Sequence, residues 1–186
     1  HRHAFPVLAD LGLRALVFVI TDYVGRENAW DVGYGAPPLK HLDWDQLAYW
    51  QERGIEVHAH GSSHARLTTM SDAQLQDDLS RSREAIERRL GKSPLAISYP
   101  FGIVDSRVMR AARSAGFQLG FGGPSHDGSD PMALGRLAVY PWDPFAIPAV
   151  MQAGPLGALA RWGARTANRI SVVTPWLREQ RAERGQ

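Results

Sequence analysis

The sequence predicts an α/β fold in which helices cover a parallel sheet or barrel. Two observations predict this fold. Four times along the 186 residues, a helical pattern ends at a glycine and a strand-like apolar run follows shortly afterwards. The residues best suited to chemistry come directly after these apolar runs, at the edge of a parallel sheet where active sites form.

Each element has its own support in the sequence. The helices are expected to end at Gly12, Gly54, Gly91 and Gly116, and the strands to follow over residues 14–20, 55–57, 95–99 and 117–121. Asp43 and Asp105 are the expected N-caps of the second and fourth helices. The third helix opens with Ser71 and Gln74 in a capping box. Its apolar residues share one helix face: Leu75, Leu79, Ile86 and Leu90. A fifth strand is expected over residues 136–140.

The end of the chain follows a different pattern. From residue 154 onward the sequence matches βα units poorly and favours an amphipathic helix followed by a charged tail. We therefore expect a catalytic domain over residues 1–153 and a C-terminal helical extension over residues 154–186. The abrupt start at His1, with a helix where a strand more often opens such a domain, favours an incomplete N-terminus.

Composition excludes several classes of protein and site. Hydrophobic content of 44%, charged content of 22% and a net charge of +2 are ordinary for a globular domain and predict no nucleic-acid partner. The absence of cysteine excludes disulfides and thiolate metal sites. No stretch approaches the ~20 apolar residues of a membrane span, and the first residues lack the basic region followed by an apolar one that is expected of a signal peptide. The cytoplasm and the cell envelope both remain open as compartments.

Three histidines fall within seven residues after the second strand. His60 and His64 are four residues apart, joined by a small Gly-Ser-Ser spacer that lets the backbone wrap toward an ion. His58 and His60 are an alternative pair, because residues two apart in a strand share a face. Imidazole is the commonest side-chain metal ligand, and without cysteine the expected ion is divalent and of the zinc type.

A turn follows the third strand, formed by Tyr99-Pro100-Phe101-Gly102. The simpler interpretation is a turn that only ends the strand. The functional interpretation is that proline and glycine hold a backbone N–H toward a metal, where it could stabilise the oxyanion of a tetrahedral intermediate.

In this order, the His60-x-x-x-His64 motif, the long helix, the strand and the 99–102 turn resemble the polysaccharide deacetylases of the NodB-homology type, also called carbohydrate esterase family 4. The resemblance spans roughly residues 4 to 145. It implies a distorted, TIM-like (β/α) barrel and a divalent metal, usually zinc, held by two histidines and one aspartate. It also implies hydrolysis of N- or O-acetyl groups, so the expected partner is an acetylated glycan.

The resemblance assigns roles to individual residues. His60 and His64 match the two metal histidines, and Phe101 matches the residue whose backbone N–H contributes to the oxyanion site. Tyr99, Pro100, Gly102 and Trp142 are expected to contact the substrate.

The sequence departs from the family pattern at two places. It lacks the Thr-Phe-Asp-Asp run that supplies the general base and the third metal ligand, so both are expected upstream of His1. Asp77 and Asp78 are rejected as replacements, because we expect them on the outside of the fold within the long helix. No Leu-x-His motif follows either, and His126 is the last histidine. The chain is therefore expected to bind metal weakly and to turn over slowly or not at all.

Two other functions compete with the deacetylase. The first is a non-catalytic carbohydrate-binding or scaffold domain derived from a deacetylase. Its sugar-stacking platforms would be Trp30, Trp44 and Trp142. The second is an amidohydrolase-type barrel with His58 and His60 as ligands, which needs a later lysine or histidine at a strand end. The two lysines, Lys40 and Lys92, do not follow predicted strands.

Overall fold

A parallel sheet organises the part of the chain that the computed structural model describes, residues 1–28, 39–123, 126 and 128–136. Its four strands lie in the order of the sequence, and every neighbouring pair is parallel: β1 (Ala15–Val19), β2 (Ile55–Ala59), β3 (Ala96–Ser98) and β4 (Leu119–Phe121). Helices alternate with the strands: α1 (Ala4–Asp10), α2 (Trp44–Gln51), α3 (Asp72–Leu90) and α4 (Ser106–Ser114). The predicted α/β fold with a parallel sheet is confirmed, and closure into a barrel is not observed within these residues.

The helices begin where the sequence predicts. Asp43 accepts a hydrogen bond from the Gln46 N–H and receives one back through the Gln46 side chain, a complete capping box. Ser71 and Gln74 form the same motif at the start of α3. Gly91 ends α3 with a φ of +68°, a left-handed conformation that glycine adopts without steric cost.

The core lies between one face of the sheet and α3. On the helix, Leu75, Leu79 and Ile86 are 1% exposed or less. From the sheet, Val57 and Ile97 face them in the same buried cluster. This burial fixes the position of α3 against the sheet. The loop that precedes α3 is therefore positioned at the edge of the sheet by packing as well as by its own sequence.

The carboxyl ends of the strands carry the candidate residues. Because all four strands are parallel, their last residues meet at one edge of the sheet. His60 follows β2, the Pro100–Gly102 3₁₀ turn follows β3, and Gly122 follows β4. Thr21–Tyr23 forms a further 3₁₀ turn after β1.

Several predictions fall outside the described residues. Of the predicted strand over residues 136–140, only Arg136 is described, although a parallel bridge joins Phe121 to Leu134 just before it. Trp142 and the predicted extension over residues 154–186, with its boundary at 153, lie outside them as well. Among the described helices, none has the combined length and apolarity needed to cross a membrane.

Candidate active site

The rings of His60 and His64 face each other at the carboxyl edge of the sheet. Their centroids are 5.1 Å apart, with an interplanar angle of 52°. A zinc ion bound through one ring nitrogen lies about 3.2 Å from that ring's centroid. Two rings at a tetrahedral angle then have centroids about 5 Å apart. The observed spacing therefore matches two histidines that share one ion.

A hydrogen bond to the backbone fixes the tautomer of His60. Its Nδ1–H donates to the Ser98 carbonyl oxygen over 2.5 Å, which leaves the lone pair on Nε2. Burial lowers the pKa of His60 to about 4, although the Ser98 bond opposes this shift; His64 and Arg136 nearby lower the pKa further. The ring is therefore neutral at pH 7, the form that a metal requires.

His58 occupies a different environment from the other two histidines. Its ring packs against Phe18 with a centroid distance of 5.9 Å, and its Nε2 lies 3.6 Å from a Glu56 carboxylate oxygen. Burial lowers the pKa of His58, and Glu56 opposes that shift. The structure thus brings His60 together with His64, whereas His58 is held within the sheet.

The predicted turn after β3 lies against this histidine pair. The Gly102 N–H donates to the Tyr99 carbonyl over 2.9 Å, which places Phe101 at the turn position that requires a positive φ. Phe101 has φ 60° and ψ 3°, and its ring centroid lies 4.9 Å from that of His64. Within the described residues, the Phe101 N–H has no hydrogen-bond acceptor. Such a strained residue with an unused donor is typical of a binding site.

The loop after β4 fixes the position of the turn. The Gly123 N–H donates to the Gly102 carbonyl over 2.9 Å. The two backbones are so close that a Cβ on Gly102 would lie 2.9 Å from Gly123 Cα. The ring of His126 covers Gly122, since a Cβ there would lie 2.4 Å from its Cδ2. His126 is therefore a packing residue of this loop.

The structure limits the substrate contacts that the sequence suggested for Tyr99 and Pro100. Both side chains are less than 2% exposed. The Tyr99 hydroxyl donates to the Met132 carbonyl over 3.0 Å, and burial raises the pKa of this hydroxyl. These side chains anchor the turn from the core side and do not line the site. Phe101, at 37% exposure, and the backbone of Gly102 are the parts of the turn near the surface.

Replacing Tyr99 by phenylalanine should therefore affect stability and leave metal binding intact. The Met132 carbonyl would lose its phenolic donor in a buried environment, which costs about 1–2 kcal/mol of unfolding free energy. Urea unfolding and zinc titration would measure the two effects on the same sample. A large loss of zinc affinity with unchanged stability would instead indicate that the hydroxyl acts in the site.

The expectation that Asp78 lies on the outside of the fold is wrong. Asp77 is exposed, but the next residue is only 4% exposed and points toward the histidine loop. The Asp78 carboxylate accepts hydrogen bonds from the backbone and hydroxyl groups of Ser62 and Ser63. Asp78 turns inward because it occupies the same face of α3 as the buried Leu75 and Leu79.

Arg136 is a further residue that the sequence did not single out. Its Nε–H donates to the Gly122 carbonyl over 3.2 Å, so the guanidinium lies beside the loop after β4. Burial lowers the pKa of Arg136, and its charge contributes to the lowered pKa of His60. A positive charge therefore lies near the histidine pair, where it favours anionic groups.

The residues that would complete a metal site are not found in the described part of the chain. Across residues 1–28, 39–123, 126 and 128–136, no group of three or more His, Cys, Asp or Glu side chains is arranged to hold an ion. The described residues therefore fit only the two-histidine part of a metal site. Of the expected stacking platforms, Trp44 packs against the core, and Trp30 and Trp142 lie outside the described residues.

The low pKa of His60 gives a prediction for the metal-free chain. Its pKa is about 4 in the folded chain against 6.5 for an unperturbed histidine, so the unfolded chain takes up the proton first. Stability should fall as the pH drops below 6.5, and this loss should be complete below about pH 4, at ~3 kcal/mol. Urea unfolding with a chelator at pH 7 and pH 4.5 would measure it. His60→Gln should show a smaller pH dependence, and an equal dependence in both proteins would contradict the assignment.

The chain is similar in sequence to known polysaccharide deacetylases. The family model described as polysaccharide deacetylase matches residues 1–120. YxkH from Bacillus subtilis (strain 168) is 26% identical over 145 residues, which are 76% of this chain and 47% of that protein. Poly-beta-1,6-N-acetyl-D-glucosamine N-deacetylase from Staphylococcus aureus (strain MSSA476) is 26% identical over 128 residues, 65% of this chain and 42% of that protein. The chain thus spans less than half the length of these relatives.

Two solved structures share the fold. The Streptococcus pyogenes deacetylase PplD, in complex with acetate, matches with a TM-score of 0.64 and 20% identity over 75% of this chain and 59% of its own. IcaB from Ammonifex degensii matches with a TM-score of 0.64 and 23% identity over 75% of this chain and 62% of its own. The predicted fold class is confirmed by these likenesses.

Proposed function

The chain belongs to the polysaccharide deacetylase family, as its motifs predicted, and on that premise we propose that it carries the metal-binding half of an active site that removes acetyl groups from a polysaccharide. The observation that carries this proposal is the convergence of His60 and His64, with centroids 5.1 Å apart, beside the Phe101 turn.

In this proposal His60 and His64 hold a divalent ion, most suitably zinc. His60 contributes Nε2, because its other nitrogen donates to the Ser98 carbonyl. Imidazole donors without thiolates suit zinc and similar borderline ions. When bound, the metal would lower the pKa of a water molecule and polarise the acetyl carbonyl. Within the described residues, no group of three His, Cys, Asp or Glu side chains is arranged to hold an ion, so the proposal assigns neither the third ligand nor the general base to them.

Phe101 supplies the backbone N–H that would stabilise negative charge on the acetyl oxygen. Three features support this role: the N–H has no acceptor within the described residues, the turn is anchored by Gly123, and the Phe101 ring contacts His64. A hydrogen-bond donor stabilises the transition state most when it is already in position and needs no rearrangement during the reaction. The positive φ of Phe101 is strained, and the hydrogen bonds of Gly102 with Tyr99 and Gly123 hold the turn in this conformation.

The glycan that we propose is a polymer of β-1,6-linked N-acetylglucosamine. Support comes from the name of the Staphylococcus aureus relative, a poly-beta-1,6-N-acetyl-D-glucosamine N-deacetylase. The positive charge of Arg136 beside the site would attract an anionic product such as acetate.

Zinc titration and acetate release together test the proposal. The chain should bind zinc through His60 and His64, and it should release acetate slowly from β-1,6-linked N-acetylglucosamine oligomers in the presence of the ion. Oligomers with β-1,4 linkage are the matched comparison. Faster release from the β-1,4 oligomers would contradict the proposed glycan alone. Absence of zinc binding would contradict the proposed metal site.

A further inference from the structure

The loop that carries the two histidines is strained at its end. His64 has a φ of +61°, in the left-handed region that non-glycine residues rarely adopt. Such a conformation persists only where the surrounding structure holds it. Part of that support comes from the turn after β1, since Thr21 N–H donates to the Gly61 carbonyl and Asp22 N–H to the Ser62 carbonyl. These two bonds restrain the start of the loop and leave Ser63 without support from this side.

Further support comes from Asp78 on α3. Its Oδ1 accepts from the Ser62 N–H at 2.9 Å. Its Oδ2 accepts from the Ser62 hydroxyl at 2.6 Å, the Ser63 N–H at 3.1 Å and the Ser63 hydroxyl at 2.7 Å. One carboxylate thus binds both serines of the spacer between the two histidines. Charge-assisted bonds of this kind are about twice as strong as neutral ones.

A second side chain of α3 reinforces the same loop. Arg81 donates to the Ser62 hydroxyl at 2.8 Å and to Asp22 at 2.9 Å. The guanidinium therefore links the turn after β1 to the histidine loop, and it places a positive charge near the buried Asp78 carboxylate. A buried carboxylate is stable only when its oxygens are satisfied in this way.

We propose that Asp78 is the positioning residue of the metal site, which fixes the Ser62–Ser63 backbone and thereby the approach of His60 and His64 to a shared ion. The metal part of this statement rests on the proposed function. The anchoring part rests on the four hydrogen bonds alone. Asp78 touches neither the ion nor the substrate in this role.

The geometry makes asparagine an informative replacement. The two backbone N–H groups bind different carboxylate oxygens, Ser62 N–H to Oδ1 and Ser63 N–H to Oδ2. An amide has only one oxygen, so in either orientation its NH₂ group faces one of these backbone donors. Asp78→Asn keeps the size of the side chain and loses at least one backbone anchor. Asp77→Asn makes the same chemical change at an exposed neighbour and is the matched control. It loses only a solvent-exposed ion pair with Arg81 at 3.7 Å, which contributes little.

Hydrogen exchange of the metal-free chain tests the anchoring role. In Asp78→Asn, the amides of Ser62 and Ser63 should exchange about tenfold faster or more, while the amides of β2 and β3 keep their protection. Asp77→Asn should match the wild type. If Asp78→Asn lost hydrogen-exchange protection throughout the fold, Ser63→Ala would test the anchoring role instead, because it removes a single hydroxyl donor. That variant should speed exchange at these two amides only.

Zinc titration of the same proteins tests the link to the metal. Asp78→Asn should lower zinc affinity by about 10- to 100-fold, as outer-shell residues do, and Ser63→Ala by roughly two- to tenfold. Unchanged exchange at Ser62 and Ser63, or unchanged zinc affinity in Asp78→Asn, would overturn the proposal. If the wild type itself bound no zinc, the proposed function would fail, whereas faster local exchange in Asp78→Asn would still support the anchoring role.

Discussion

Replacing His60 or His64 by alanine is expected to lower zinc affinity by at least ~100-fold and to abolish zinc-dependent acetate release. Loss of an outer-shell partner already costs about 10- to 100-fold, so loss of a ligand should cost more. The two substitutions should have similar effects, since the rings face each other at 5.1 Å and each would supply one nitrogen. Isothermal titration calorimetry with zinc, at pH 7 where His60 is neutral, would measure the affinities.

His58→Gln is the informative control for this experiment. In the structure, the His58 ring packs on Phe18, and its Nε2 lies 3.6 Å from a Glu56 carboxylate oxygen. Its replacement should lower stability and change zinc affinity by no more than about threefold, within the range of a modest packing change. An affinity loss as large as that of His60→Ala would favour the alternative pair of the amidohydrolase type. Equal zinc affinity in the wild type, His60→Ala, His64→Ala and His58→Gln would contradict the proposed metal site.

The helices and strands were predictable because their limits are set by local interactions. The Ser71 and Gln74 capping box and the left-handed Gly91 require only neighbouring residues, and they enclose α3 as the sequence predicted. The alternation of helices and strands then required parallel pairing, which brought the residues after β2 and β3 to one edge. The juxtaposition of His60 with the Phe101 turn could therefore be anticipated without coordinates.

The roles of Asp78 and Tyr99 were missed although a periodic pattern was available. The buried residues of α3 include Leu75, Asp78 and Leu79, a spacing that helical periodicity assigns to one face. A charged residue on that face should have been expected to have partners. Tyr99 lies two residues after the buried Ile97, so strand alternation already turned its side chain toward the core.

The contacts of the loop after β4 could not be predicted from sequence. Arg136 reaches the Gly122 carbonyl, and Gly123 pairs with Gly102, across 14 and 21 residues of chain. Neither contact leaves a periodic pattern, since both depend on the path of an irregular loop. These contacts decide which backbone groups of the turn are already used and which remain available to a substrate.

Gly102→Ala is expected to have the second large effect, and Gly91→Ala is its matched control. Both glycines have a φ of +68°, so alanine at either position carries the same left-handed strain of about 1–2 kcal/mol. At Gly91 a Cβ would meet nothing within 4 Å. At Gly102 it would lie 2.9 Å from the Cα and N atoms of Gly123, backbone atoms that no rotamer change can move. Urea unfolding should show a further loss of ~1–3 kcal/mol for Gly102→Ala, typical of overpacking.

The same clash should also lower the rate of acetate release, because it displaces the turn. Relief requires Gly102 and Gly123 to separate, which breaks their 2.9 Å hydrogen bond and moves the neighbouring Phe101 N–H. Because His60 and His64 belong to another loop, zinc affinity should change by only a few-fold. Acetate release should fall by about 100-fold or more, the usual loss for one oxyanion donor. Retained release in Gly102→Ala, at a stability no lower than that of Gly91→Ala, would show that neither the close approach nor the Phe101 amide has the role assigned to it.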